Sequence, residues 1–208
     1  MISVAVGTPA TLFVVHKDLI CTNSPFFKAA CSSWWPRPKG QPIKLPDHKP
    51  RTFQLYCDWL YSPSSSLRAA AEAVDGLPDS NSMAVMGDDH GTTICTRLCY
   101  LWILADYLND TGCKNEVINS LLRGLHGNIA SARTRVFPIV YQTRETSALR
   151  RWLIDCVVPF ISPTNIRSET ETFTAEMLRD ILTAYAAAQS MLPAARAPDI
   201  GQALRYHE

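Results

Sequence analysis

A change of hydrophobic period between Thr11 and Phe27 limits the fold of this chain more than any other stretch. Thr11, Phe13 and Val15 alternate with Leu12 and Val14, the period of a β-strand. After His16 the pattern becomes helical: Lys17 to Cys21 makes a short turn, and Ser24-Pro25 opens a second helix over Pro25–Cys31. Ser24 suits the N-cap, and Pro25 suits the first helical position, where its missing N–H costs nothing. A strand therefore runs straight into two short helices. Ahead of it, Ile2 to Val6 alternates as a strand too, and Gly7-Thr8-Pro9-Ala10 is a turn, so the two strands are expected to form a hairpin.

Ser32 to Pro42 is a loop by its prolines, Ile43–Leu45 a short strand expected to join the hairpin, and Asp47-Pro50 the start of a helix to Tyr61. Phe53, Tyr56, Trp59 and Leu60 fall on one side of that helix. Pro63 to Thr93 interrupts the pattern with three consecutive serines and with five acidic residues against Arg68. Such a composition buries little surface, so a largely disordered insertion at 62–93 is expected, with a transient helix over its alanine-rich part from Leu67. Helical stripes resume with Leu98, Leu101, Trp102, Ala105 and Leu108, then with Cys113, Val117, Leu121, Leu122 and Leu125.

Three segments in order, V-H-K-D-L-I-C-x-x-S-P-F-F-K-A-A from Val15, I-K-L-P through F-Q-L-Y-C-D-W-L-Y from Ile43, and L-W-I-L-A-D-Y-L with Lys114-Asn115, resemble a BTB/POZ domain of the fungal type. The resemblance covers most of 2–126 and implies an α+β, mostly helical fold: a helical cluster with a small three-stranded sheet. A C-terminal helical extension at 127–189 and a loose tail at 190–208 are expected to follow. In the extension, Arg135–Tyr141 is expected as short helical pieces limited by Pro138. Leu149, Trp152, Leu153, Cys156 and Val157 form a stripe ending at Pro159. Ser168-x-x-Glu171 is a capping box ahead of a helix with Phe173, Met177, Leu178, Ile181, Leu182 and Tyr185 inward.

Catalytic patterns are poorly matched. His16 is flanked by Lys17 and Asp18, and neighbouring side chains diverge, so no triad forms there. No G-x-S-x-G elbow and no glycine-rich phosphate loop is present. Cys95 and Cys99 share a helix face, and His90 and Cys113 could complete a zinc set, but no C-x-x-C pair occurs. The seven scattered cysteines fit small buried hydrophobes in an intracellular protein of cytoplasm or nucleus. Arg150-Arg151 reads as a solvated helix face. A net charge of +1 gives no footprint for nucleic acid or an acidic membrane. No cofactor and no metal are expected.

The expected function is thus a non-enzymatic interaction module, as the resemblance implies, binding either another protein or a second copy of itself. The candidate partner surface is Trp34, Trp35 and Arg37 with Lys17 and Ile20. Two tryptophans in a proline-rich loop are either a lid over the core or a partner anchor, and the lid is favoured because Trp is highly buried on average. The second expectation is a substrate adaptor of a cullin ubiquitin ligase. The family's hydrophobic-x-Glu motif for cullins is replaced here by Trp35-Pro36-Arg37, without the glutamate. A zinc or thiol enzyme is the third.

Overall fold

In the hairpin, Gly7 sits at φ 83° and a Cβ there would come within 3.0 Å of the Pro50 ring, so this corner accepts glycine alone. The computed structural model describes residues 1–32, 40–62, 67–73, 90–124, 129–160, 173–189 and 207. The strands β1 (Ile2–Val6), β2 (Thr11–Val15) and β3 (Ile43–Leu45) form one mixed sheet in the order β2-β1-β3. β1 is central. It pairs antiparallel with β2, Val4 opposite Phe13, and parallel with β3, Val4 opposite Ile43. The other regular elements among the described residues are helices, which makes this an α+β chain dominated by helices.

The chain divides into two compact units, Met1–Gly87 with Tyr100–Val117, and Asp88–Cys99 with Ile118–Glu208. The expected boundary at 126 follows chain order. The units do not, because two helices, α5 (His90–Tyr107) and α6 (Thr111–Gly124), each contribute to both.

The first unit carries the sheet with α1 (Lys17–Asn23), α2 (Pro25–Ala30), α3 (Pro50–Tyr61) and α4 (Leu67–Ala73). Val4, Val6, Val15, Ile43 and Leu45 are buried on one face of the sheet, and Phe13 meets Phe53 of α3 edge-on at 5.0 Å. As expected, α3 buries one side, Thr52, Phe53, Leu55, Tyr56, Cys57, Trp59 and Leu60, and leaves Arg51, Gln54, Asp58 and Tyr61 on the other. Ser24 caps α2 as expected, accepting from Phe27 N–H, and its hydroxyl also donates to Leu108 C=O at 2.7 Å. The alanine-rich part of the insertion is α4, with Leu67 and Ala71 buried. The helix falls where the alanine-rich part is expected to form one; 63–66 and 74–89 lie outside the described residues. A leucine and an alanine four apart suffice to seat a two-turn helix, although they leave almost no periodic signal.

The second unit holds α7 (Ile129–Val140), α8 (Ala148–Val157), a 3₁₀ turn (Val158–Phe160) and α9 (Ala175–Gln189). α7 is one helix, not short pieces. Pro138 lies near its end and removes a single backbone bond. Ser147 caps α8 by accepting from Arg150 N–H. The Ser168-x-x-Glu171 box lies outside the described residues; Thr174 Oγ1 accepts from Met177 N–H at the start of α9. Phe173, Met177 and Ile181 of the expected inward set are buried, whereas Leu182 and Tyr185 are exposed. Of the tail, His207 is described, with Nε2 2.9 Å from Asn119 Oδ1. Among the described residues no helix is long and apolar enough to cross a membrane.

Candidate functional site

The surface worth examining for partners starts where β2 becomes α1. β2 is an edge strand, and its residues alternate as the period of two requires: Val15 buried, Leu12 61% and Val14 56% exposed. No residue from Thr11 to Val15 is charged. Natural edge strands are usually blunted by lysine, proline or a bulge, and the outward face of β2 carries none of these. Lys17, exposed on α1, follows directly.

Ile20 does not belong to this surface. It is fully buried on the inner side of α1 and so is not the partner residue expected from the sequence: on a helix of seven residues the spacing alone does not tell the inner side from the outer. Trp34, Trp35 and Arg37 lie outside the described residues, and with them the lid, the anchor and the cullin motif.

His16 stands at the strand-to-helix junction as the N-cap residue of α1. Its backbone N–H donates to the Tyr61 hydroxyl at 3.1 Å and its Nδ1 lies 2.7 Å from the same oxygen, with the rings edge to face at 5.7 Å. One hydroxyl at the end of α3 thus ties down both the backbone and the ring of the junction. Tyr61→Phe removes both bonds from a solvent-washed site. Urea unfolding should register a loss of about 0.5–1 kcal/mol, the low end for a hydrogen bond that water can replace.

Two motif residues of the third segment meet. Lys114 Nζ lies 3.1 Å from Asp106 Oδ1 and 5.4 Å from the Trp102 ring centre, and the lysine is buried. Next to it, Asp110 links α3 to α6. The Tyr56 hydroxyl donates to its Oδ2 at 2.8 Å, and Cys113 N–H donates to its Oδ1 at 2.9 Å. Burial raises the Asp110 carboxyl above its ordinary range and outweighs these bonds and the Lys114 charge, which act in the opposite sense. Tyr56 is pushed up by burial and by the carboxylate beside it. A half-buried aromatic group, Phe26, Tyr107 and His48, lies nearby, its rings 5.2 Å and 4.8 Å apart. Burial lowers the His48 pKa.

In the second unit the pair read as a solvated face divides. Arg151 is exposed, but Arg150 is only 4% exposed. Its guanidinium pairs with Glu176 of α9 and donates to the carbonyls of Tyr141 and Thr143, the latter at 2.8 Å. It also covers the Tyr141 ring at 4.2 Å, while Tyr141 O–H donates to Asp180 at 2.9 Å. Fivefold donor geometry lets one side chain serve all of these groups.

Among the described residues no group of three or more His, Cys, Asp and Glu side chains could hold a metal ion. The thiols of Cys99 and Cys113 are both held well above the ordinary range, Cys99 by its hydrogen bond with Cys95 and by burial, Cys113 by burial. Zinc ligation requires thiolates, and these two sites favour the neutral form. No family model, curated protein or solved structure matches the chain.

Proposed function

We propose that this chain is a non-enzymatic protein–protein interaction module of the BTB/POZ type, and that it associates with a second copy of itself through the outward face of β2. The element order strand, strand, helix, helix, strand, helix supports the fold reading, with β1 between an antiparallel β2 and a parallel β3. The observation that carries the functional reading is the uncharged edge strand with Leu12 and Val14 turned to solvent. A strand of this kind can pair antiparallel with its own copy about a two-fold axis. Backbone groups then join across the edge, and Leu12 of one copy falls opposite Val14 of the other. Lys17 and the exposed side of α1 would border such a contact.

Light scattering on gel filtration across a concentration series tests this. The full chain should run above the mass of one copy. Leu12→Lys with Val14→Lys places like charges opposite each other and should weaken association by about tenfold or more, without lowering the thermal midpoint. A single-copy mass for the unsubstituted chain at every concentration would remove the reading.

A further inference from the structure

Two of the seven cysteines differ from the rest. Cys21 on α1 and Cys31 at the C-cap of α2 are part-exposed, while Cys57, Cys95, Cys99, Cys113 and Cys156 are buried. The two also converge on one atom. Cys21 Sγ donates to Phe27 C=O at 3.5 Å, and Cys31 N–H donates to the same oxygen at 2.9 Å. Ser24 turns the chain between α1 and α2, so the sulfur of Cys21 is carried back against the residue that ends α2. Through that shared oxygen the Cys21 sulfur is held close to the Cys31 backbone.

We propose that Cys21 and Cys31 form a reversible dithiol–disulfide site, oxidised by a low-molecular-weight disulfide such as oxidised glutathione. A disulfide needs its sulfurs at about 2 Å, and a Cys21 sulfur already bonded to the carbonyl that Cys31 N–H also meets has a short way to travel. Both are accessible to a small oxidant, and the buried five are not. Burial, foremost, raises the Cys21 thiol to about 11 and disfavours it as the first nucleophile, so the first attack is assigned to Cys31. Its thiolate attacks one sulfur of oxidised glutathione and releases one glutathione, leaving a mixed disulfide. Cys21 then gives up its proton, attacks the Cys31 sulfur and displaces the second glutathione. Two protein thiols are oxidised, one glutathione disulfide is reduced to two thiols, and the two protons leave with them. The new bond ties the last turn of α1 to the end of α2.

The site is independent of what β2 binds, and its test is chemical. Oxidise the full folded chain with glutathione disulfide, block the remaining thiols, cleave with trypsin and map the peptides by mass. Lys28 lies between the two cysteines, so the linked pair arrives as two peptides joined by one bond. The Cys21–Cys31 link should form about tenfold more readily in the folded chain than in urea, because the fold supplies a high effective concentration. Dithiothreitol should reverse it. The reduced chain should also bind one equivalent of phenylarsine oxide, a trivalent arsenical that bridges adjacent thiols, and Cys21→Ser should abolish that binding. Glutathione retained on Cys31 alone, links between chains, or no arsenical binding by the folded chain would each overturn the assignment.

Discussion

Arg150→Ala should lower the stability of the chain by about 3 kcal/mol, read as a shift in urea midpoint with an unchanged slope. Full removal of one member of a buried pair costs about 3–5 kcal/mol, and the lower end applies because Glu176 is 42% exposed at its side chain and regains water. What water does not replace is the bonding to Tyr141 C=O and Thr143 C=O, which follow the end of α7. Arg150→Lys should recover about half of the loss, since an ammonium reaches fewer of these groups than a planar fork. Arg151→Ala, one residue along and exposed, should change stability by less than about 0.5 kcal/mol. Equal effects at both positions would mean that the buried network contributes nothing.

Asp110→Ala is expected to cost about 3 kcal/mol as well. It removes the cap of α6 and leaves the Tyr56 hydroxyl buried without a partner. Asp110→Asn behaves differently, because an amide oxygen still accepts from Cys113 N–H while the charge is gone. The carboxyl is raised in the folded chain above the ordinary 3.8, so the fold binds its proton more tightly than the unfolded chain does. Its contribution is then fully present below 3.8 and is lost as pH rises through the raised value. The stability of the native chain relative to Asp110→Asn should accordingly fall as pH climbs through that window and stay level above it. A difference that grows in the opposite direction would show that the hydrogen bonds, not burial, set this carboxyl.

How much of this was legible follows from the distance over which each signal acts. The hairpin, the strand-to-helix switch and the Ser24 cap are local. Alternation, a proline at the first helical position and a serine before it identify them within a few residues. The inner side of α1 was not legible, because seven residues give barely two helical turns of pattern. Arg150 was missed for another reason. Its partner Glu176 is 26 residues away on another helix, and an arginine on a helix looks solvated until its carboxylate is placed. Leu182 and Tyr185 were expected inward by extending a stripe that the fold narrows to Phe173, Met177 and Ile181. On β2 the alternation gave the two faces, but only the strand order made it an edge. The approach of Cys21 to Cys31 left no mark in spacing, since it depends on the tight corner at Ser24.

The sharing of α5 and α6 has a practical meaning for anyone who would divide this molecule. Ile94, Cys95, Leu98 and Cys99 head one helix and Ile118, Leu121 and Leu122 end the other, all buried and all counted with the C-terminal half. A fragment stopped at 126 would keep these side chains and lose the residues that shelter them, laying a greasy flank open to water. Each unit draws on two stretches of sequence, so no single cut in chain order yields either one whole.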